Sequence, residues 1–495
     1  MASTTTTPAA PLRQPLLSST PPPPHRHDQN LTGGDMYATA RNSRNLQWSD
    51  IIVAPYPLRL TGFVMLPIVI VLISISAYAT SAYVANLQWK GKPPCRKSPG
   101  AFAILNSKAS PSLTAIIWSG VSKGEKLLHD AWLYRLDRPV NSRWIRIPHD
   151  DLASHHHLSM PQPRTKSSIA TFGDSFAVMF GGDPNLQPPL EGVFFDDTWI
   201  ITERKDKLVK TFHWYQVNTT VKPKKRRAHA ATITRDAKNR SVASYWLYGG
   251  RNESGGVFRD VWQLPLELDD EDNILIDANS SIINANWRCV YGCNDTAVAG
   301  WELIDVWKWW KDRDEPIPRK GHSLTSSSSK NAPAAAFILA FGRLNNWMYM
   351  NDIWQFVPAA DGDSGGTWQL ISALDFLPNK TSDLNGHPMP RDHHAAFRKD
   401  DTLYFFGGRG GLNQSHDLYG PLGDLWKFNL TTSNWESGNE STTGPAARWL
   451  PGADKYGNGR FVVFGGESYD EKKLNDLWEF DMESSTWQLR SSSTC

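Results

Sequence analysis

A short motif, Asp-X-Trp, recurs six times along this 495-residue chain and constrains its fold more than any other feature. Each copy follows an apolar run that ends in glycine, as in FVVFGG before Asp476-Leu-Trp478. The tryptophans of the six copies are Trp132, Trp199, Trp262, Trp354, Trp426 and Trp478. This repetition indicates a repeated structural unit, because a catalytic group is rarely needed six times.

Each repeat predicts four short strands. The apolar second strand ends at a Gly pair, a variable loop follows, the third strand carries Asp-X-Trp, and in most repeats a fourth strand carries another Trp. Glycines at that position permit positive φ and the close approach of a neighbouring sheet. Because four short strands cannot bury both faces alone, a ring of repeats would bury the aromatic side chains between adjacent sheets.

These features resemble the kelch-repeat family, whose units combine a Gly pair, a spaced aromatic residue and a second Trp. The resemblance covers roughly residues 100–492 and implies an all-β fold, a six-bladed kelch-type β-propeller, within residues 100–495. The predicted blades are about 100–150, 161–218, 223–304, 316–372, 388–438 and 444–492.

Two repeats depart from the pattern. The first has Ser119-Gly120 for the Gly pair and lacks an opening arginine, and the fourth has Gly342-Arg343. The last tryptophan of the third repeat is either Trp287 or Trp301. The opening arginines of the other five repeats are Arg164, Arg226, Arg319, Arg391 and Arg448. We expect these arginines to bond carbonyls or a carboxylate of the next blade, with a basic ring around the central channel as the alternative.

The region before the repeats predicts a membrane anchor. Residues 1–59 are rich in Ser, Thr and Pro and predict a disordered tail. Residues 60–84 predict one transmembrane helix, since about 24 mostly apolar residues reach about 36 Å. Residues 85–99 form the predicted linker. A cleaved signal peptide is the alternative, although the run begins far from the N-terminus.

The orientation of the span rests on glycosylation signals. The basic residues on its two sides are nearly balanced, whereas Asn-X-Ser/Thr is more frequent after the span than composition predicts. These sites are Asn218, Asn239, Asn252, Asn279, Asn294, Asn379, Asn413, Asn429 and Asn439. We therefore expect a single-pass membrane protein with a lumenal or extracellular propeller, in the plasma membrane or the Golgi.

The four cysteines fit this topology. A propeller brings its two ends together, so Cys95 and Cys495 are predicted to form a disulfide that fastens the ring. Cys289 and Cys293 would close a second, small ring. Both pairings require an oxidising compartment.

The longest loops predict an interaction face. Between the Gly pair and Asp-X-Trp, the second and fifth repeats carry longer loops than the others, and these two blades lie opposite each other in a ring of six. The candidate contact residues in these loops are Pro188, Pro189, Phe194, Phe195, Leu412 and Tyr419. The alternative is a length difference that an exposed loop tolerates.

No pattern in the sequence predicts catalysis, a metal or a cofactor. The runs His155–His157 and Asp269–Asp272 are read as solvated loops, and the net charge of +2 gives no indication of nucleic-acid binding. The resemblance implies protein or glycan recognition, or scaffolding. The alternatives are a membrane-anchored enzyme of the secretory pathway and a cytosol-facing kelch adaptor.

Overall fold

The computed structural model describes residues 90–107, 112–139, 144–147, 160–185, 193–205, 210–236, 239–276, 282–293, 297, 314–327, 337–345, 348–359, 365–373, 386–410, 420–438, 443–457, 459–492 and 495. All of them belong to one compact unit, Tyr78–Cys495, and a second unit, Met1–Ala77, lies outside them. The predicted tail, the predicted span and the start of the linker are therefore not described. Within the described ranges, no helix has the length and apolar character needed to cross a membrane.

The described residues form an all-β structure with six sheets of four or five strands, numbered here in chain order. Sheet 1 contains β1 (Lys90–Gly91), β2 (Ala101–Ser107), β3 (Ser112–Trp118), β4 (Ala131–Arg135) and β5 (Trp144–Ile147). Sheet 2 contains β6 (Ser168–Phe172), β7 (Phe176–Phe180), β8 (Thr198–Lys205) and β9 (Lys210–Asn218). Sheet 3 contains β10 (Ala230–Arg235), β11 (Val242–Tyr248), β12 (Val261–Glu267) and β14 (Arg288–Tyr291). The intervening β13 (Ile282–Asn284) pairs with β9 in parallel and adds a fifth strand to sheet 2.

The second half of the chain repeats this arrangement. Sheet 4 contains β15 (Ser323–Ser326), β16 (Phe337–Ala340), β17 (Ile353–Pro358) and β18 (Gly366–Ser372). Sheet 5 contains β20 (Ala395–Lys399), β21 (Thr402–Phe406), β24 (Leu425–Asn429) and β25 (Asn434–Ser437). Sheet 6 contains β26 (Gly452–Tyr456), β27 (Arg460–Phe464), β28 (Leu477–Asp481) and β29 (Thr486–Ser491). A small additional sheet joins β19 (Arg391–Asp392), β22 (Arg409–Gly410) and β23 (Gly420–Pro421). Two short 3-10 turns cover Lys123–Glu125 and Tyr469–Glu471.

The six sheets follow one another around a closed ring. The first strand of each sheet lies beside the first strand of the next, and β26 of sheet 6 returns to β2 of sheet 1. These strands surround a central cavity of about 230 Å³. Each second strand lies between two neighbouring sheets, which is why its sequence is continuously apolar; every residue of β7 is buried.

Aromatic side chains fill the spaces between neighbouring sheets. Trp287 lies 5.2 Å from Phe180 of sheet 2 and 5.6 Å from Tyr245 of its own sheet, measured between ring centroids. This contact assigns the last tryptophan of the third repeat to Trp287. Between sheets 6 and 1, Trp144 packs 5.3 Å from Phe464. The fold therefore buries its repeated aromatic residues where the sequence predicts, at the interfaces between sheets.

Candidate functional site

Each sheet contains the same buried Arg–Asp–Trp unit. Two guanidinium nitrogens of the arginine bind both oxygens of the Asp in Asp-X-Trp at 2.5–2.9 Å. The tryptophan indole N–H donates to the same carboxylate at 2.6–2.8 Å. The arginine also donates to two backbone carbonyls, as Arg226 does to Lys224 and Gly249. All six arginines are fully buried, so they hold each sheet together and do not form a basic ring.

Sheet 1 corrects two expectations about these arginines. The first repeat does have an opening arginine: Arg96 binds Asp130 at 2.7 and 2.8 Å. It was missed because it lies in the predicted linker. In every sheet, moreover, the arginine pairs with the carboxylate of its own repeat and not with that of the next. This is the closed, bidentate geometry that makes burial of a guanidinium tolerable.

The Gly pair connects each of sheets 2 to 6 to the next sheet, whereas in sheet 1 the Ser119 hydroxyl donates to the Arg164 carbonyl at 3.0 Å. The second glycine donates its N–H to the arginine carbonyl of the following repeat, as Gly182 does to Arg226 at 2.9 Å, and Gly466 closes the ring on Arg96 at 2.9 Å. A Cβ on Gly181 would lie 2.8 Å from the Arg226 carbonyl oxygen, so a side chain there needs the neighbour to move. In the fourth repeat the pair is Phe341-Gly342 and not Gly342-Arg343 as predicted, because Gly342 donates to Arg391.

A layer of twelve residues lies at the end of the ring where the central cavity meets the Arg–Asp–Trp units. Each sheet contributes the residue after its opening arginine and the residue after its Gly pair, and the two form a bridge in antiparallel register. We call this the mouth layer; its pairs, from sheet 1 to sheet 6, are Lys97/Val121, Thr165/Asp183, Arg227/Arg251, Lys320/Arg343, Asp392/Arg409 and Trp449/Glu467.

Sheets 3 and 4 place like charges opposite each other in this layer. Arg227 and Arg251 exchange both backbone hydrogen bonds at 3.1 and 3.0 Å, and Lys320 and Arg343 do so at 2.9 Å. Residues paired in this way project their side chains from the same face, and like charges directly opposite each other are destabilising. Four cations in two adjacent sheets are therefore an electrostatic cost that the fold alone does not explain.

Two buried carboxylates neutralise part of this charge. Asp183 binds Arg227 at 2.7 Å, and Asp392 binds Arg343 at 2.5 Å and Arg409 at 3.4 Å. Burial alone would raise the pKa of Asp392, but His393 and the Arg343 and Arg409 guanidiniums hold that pKa below its usual range. Asp392 is thus ionised and shared among several cations.

Three further cations at the mouth form no ion pair with any described residue: Lys166, Arg251 and Lys320. Burial, together with the nearby Arg343 and Arg251, lowers the pKa of Lys320 to about 7. Burial likewise lowers the pKa of Lys166 to about 8 and that of Arg251 to about 10. The mouth therefore presents uncompensated positive charge, and it is the strongest candidate for a ligand site in the described structure.

The predicted interaction-face residues do not form this site. Phe194 is only 3% exposed and its ring lies 4.8 Å from the Arg227 guanidinium. Phe195 packs 4.1 Å from Arg164. These two rings therefore pack against arginines of the scaffold and the mouth layer, and Phe195 is half-buried. The other four candidates, Pro188, Pro189, Leu412 and Tyr419, lie outside the described residues.

The structure brings together both predicted cysteine pairs. The Cα atoms of Cys95 and Cys495 lie 6.1 Å apart and those of Cys289 and Cys293 lie 6.0 Å apart, with the sulfurs joined in each pair. The predicted glycosylation sites divide into two groups. Those described are Asn218, Asn239, Asn252 and Asn429, of which the first two are exposed. Those outside the described residues are Asn279, Asn294, Asn379, Asn413 and Asn439.

No group of three His, Cys, Asp or Glu side chains within the described ranges has the geometry to hold a metal ion. His155–His157 lie outside those ranges. In the acidic run, Asp269 accepts the backbone N–H groups of Glu271 and Asn273, and Asp272 pairs with Arg235 at 2.5 Å. The run therefore closes a turn.

Sequence reasoning missed the mouth layer. It did not consider the residues that follow each opening arginine and each Gly pair, although their positions were already fixed by the repeat. Aligning the six repeats on the opening arginine would have placed Arg227 and Lys320 at equivalent positions, each followed by another cation after the Gly pair.

Comparisons with known proteins agree with the repeat. A family model described as the KLHDC2/KLHL20/DRC7 Kelch-repeats domain matches residues 379–494. An F-box/kelch-repeat protein of Arabidopsis thaliana is 23% identical over 367 residues, which are 71% of this chain and 61% of that protein. Host cell factor 1 of Homo sapiens is 26% identical over 182 residues, which are 32% of this chain and 8% of that protein. A dynein alpha chain of the flagellar outer arm of Chlamydomonas reinhardtii is 32% identical over 197 residues, 36% of this chain and 4% of that protein.

Proposed function

Because this chain belongs to the kelch-repeat family, we propose that it is a protein-interaction module whose mouth layer binds an acidic segment of a partner protein. The observation that carries the proposal is the two pairs of facing basic residues in sheets 3 and 4, Arg227/Arg251 and Lys320/Arg343. Only a negatively charged ligand would turn this arrangement from a cost into a source of affinity.

The surroundings of the mouth favour an extended segment over a single small ion. Arg251 and Lys320 belong to adjacent sheets, and Lys166 adds a cation from sheet 2. On the far side, Trp449 lies 4.1 Å from the Arg409 guanidinium and is half-buried, which offers an apolar contact beside the charges. A peptide with spaced carboxylates and one apolar side chain matches this distribution.

Binding of a fluorescent oligoglutamate peptide to the full-length chain tests this proposal. We expect binding that weakens as salt rises, and little binding of a matched oligoglutamine peptide. The substitutions R251M and K320M should each weaken binding about tenfold or more, since each removes a charge-assisted contact. K399M is the matched control, because Lys399 lies at the opposite end of β20 and pairs with Glu483. Equal binding by all three variants would refute the mouth as the site.

We further propose that the six described sheets are the six blades of the complete propeller, and that residues 60–84 anchor it with its propeller on the lumenal or extracellular side. The closed cycle of first strands supports the first point. The excess of Asn-X-Ser/Thr and the joined Cys95–Cys495 pair support the second, because glycans and stable disulfides belong to the secretory compartment.

Protease protection of microsomes with and without an N-glycosidase tests the topology. A protected propeller that loses mass on deglycosylation is the expected result. A digested, unglycosylated propeller would favour the cytosol-facing adaptor, a possibility that the likeness to an F-box/kelch-repeat protein keeps open. Mouth binding and topology are separate, so either proposal can fail alone.

A further inference from the structure

Lys320 differs from an ordinary surface lysine in both position and neighbours. Its side chain is 6% exposed, and Arg343 stands directly opposite it in a bridge with both backbone hydrogen bonds at 2.9 Å. Arg251 and Arg227 of the adjacent sheet also act on its amine, and Asp392 is the anion that acts most strongly on it. Asp392, however, is already bound by Arg343 and Arg409.

An amine in these surroundings favours its neutral form at physiological pH. Burial penalises the ammonium, and the arginines around it repel a further positive charge, which together lower the pKa of Lys320 to about 7. A neutral amine is a nucleophile, whereas an ammonium is not. The same arginines that disfavour an ammonium would stabilise an anion formed at that nitrogen.

We propose that Lys320 is a carbamylation site: its neutral amine adds carbon dioxide, and the resulting carbamate is held by Arg343 and Arg251 at the mouth. In this step the nitrogen lone pair attacks the carbon of carbon dioxide and an N–C bond forms. One C–O π pair becomes a lone pair of the new carboxylate, and one N–H proton leaves to solvent. The step needs no oxidant, reductant or enzyme.

Carbamylation resolves the electrostatic conflict of sheet 4. It places an anion opposite Arg343, where a protonated amine would form a like-charge pair, so that the facing residues become an opposite-charge pair. Lys166, the other unpaired lysine at the mouth, is a weaker candidate because it is more exposed and Asp183 is the nearby charge that acts most strongly on it. The inference goes beyond peptide binding and would add a chemical control to the same mouth, since the carbamate fills the place of an acidic ligand.

The test uses the full-length chain in ¹³C-labelled bicarbonate at neutral pH, followed by O-alkylation of carbamates and peptide mass spectrometry. A peptide with a free α-amine, whose pKa is about 8, is added as an internal standard for the trapping chemistry. We expect the trapped label on Lys320, its loss in K320R, and its persistence on Lys320 in the matched variant K166R. R343M should reduce the label several-fold, because the carbamate loses its partner.

Label on the standard without label on Lys320 would overturn the proposal, as would equal label on Lys166 and on exposed lysines. If K320R does not fold, the fragment masses of the unsubstituted protein still locate the label. The outcome is independent of oligoglutamate binding measured in buffer free of carbon dioxide: a protein that takes up the label but does not bind acidic peptides in that buffer retains this inference and refutes the proposed function. A protein that binds the peptide but takes up no label on Lys320 retains the proposed function and refutes this inference.

Discussion

In the mouth layer, sheets 3 and 4 place basic residues opposite each other, whereas at the seam between sheets 6 and 1 two lysines share two glutamates. At the seam, Lys97 lies 2.8 Å from Glu467 and 3.0 Å from Glu125, and Lys473 binds the same two carboxylates at 2.5 and 3.0 Å. Equivalent positions of one scaffold thus carry two opposite charge arrangements. Charge that serves closure is paired within the fold, and charge that is left unpaired marks the surface available to a ligand.

The seam also carries the connections that close the ring. Asn475 donates its side-chain N–H to the Pro93 carbonyl at 2.8 Å, and the indole of Trp144 donates to Ser491 at 3.1 Å. Among the described residues, no strand is shared between sheets 1 and 6. The two ends of the ring are therefore held together by side-chain contacts, single backbone hydrogen bonds and the Cys95–Cys495 pair. Sheets 3 and 4, by contrast, are joined by continuous chain.

The largest expected effect is therefore at the seam. Replacing both Cys95 and Cys495 with Ser should lower the free energy of unfolding by about 5 kcal/mol, because the cross-link closes a loop of 400 residues. The matched control replaces Cys289 and Cys293, which close a short loop, and should cost only about 2 kcal/mol. Urea unfolding of the oxidised proteins measures both. Equal losses would show that loop length does not govern the contribution of the seam.

A second prediction concerns the buried Arg–Asp–Trp units. Their contribution to the free energy of unfolding should be the same at the seam as in sheets 3 and 4. D130N in sheet 1 and D260N in sheet 3 should each cost about 3 kcal/mol, since each leaves a fully buried arginine without its carboxylate. D137N, in the more exposed pair with Arg135, should cost less than about 1 kcal/mol. Thermal and urea unfolding of the three variants compare these costs. A clear difference between D130N and D260N would place the asymmetry in the scaffold itself and not in the mouth layer.

The repeated strands with their Asp-X-Trp motifs and Gly pairs were predictable from the sequence, and the mouth layer was not. Asp-X-Trp, the Gly pair and the apolar second strand are local patterns that recur, so repetition identified the strands and the buried tryptophans. Arg96 escaped notice because the first repeat has no preceding unit to define its start. Phe341 was not recognised as the first residue of the Gly pair in the fourth repeat, because its φ of 59° is a conformation that usually indicates glycine.

Non-local contacts set the remaining limits. β13 belongs to the third repeat in sequence but pairs with β9 of the second, and no local pattern specifies that partner. The facing of Lys320 and Arg343 likewise depends on a bridge between residues far apart in sequence. The basic residues can be read from the sequence, but which of them form ion pairs with carboxylates depends on how the closed ring brings the sheets together.

A third prediction uses pH to separate the two regions. At the interfaces before sheets 3, 4 and 5, a histidine packs against an aromatic ring of the preceding sheet: His229 and His322, which are buried, and His394, which is half-buried. Burial lowers the pKa of His229 and His322 well below the usual range and that of His394 to about 3. The equivalent residues beside the seam are Pro99 and Pro451, which do not titrate.

Acid should therefore weaken the histidine interfaces. Below about pH 6.5 the histidines of the unfolded chain bind protons, whereas those of the folded protein stay neutral. The histidine contribution to the free energy of unfolding is therefore complete above that pH and falls as pH decreases toward the folded pKa values. We expect a loss of about 2 kcal/mol or more between about pH 6.5 and 5, with a smaller loss in H322F.

Asp454 provides the opposing control at the seam. It accepts hydrogen bonds from the Ile104 backbone N–H at 2.8 Å and from Thr171 at 2.6 Å, and burial raises its pKa to about 6. Between its unfolded value near 4 and about 6, the folded state binds more protons, so this group gains stability as pH falls. D454N should make the acid-induced loss steeper. A stability that does not change over this pH range, in the unsubstituted protein and in both variants, would contradict these assignments.

The smallest effects should have opposite signs in the two regions, and they test the central comparison most directly. E467Q leaves Lys97 and Lys473 with one shared carboxylate, so it should lower the free energy of unfolding by about 1 kcal/mol. R251M removes one member of a like-charge pair and should raise that free energy by up to about 1 kcal/mol, while it weakens binding of the acidic peptide. Such a trade of stability for binding is expected only where charge is kept for a ligand. If R251M instead destabilised the protein as E467Q does, the cations of sheets 3 and 4 would be part of the scaffold, and the distinction between a closing seam and a binding mouth would be lost.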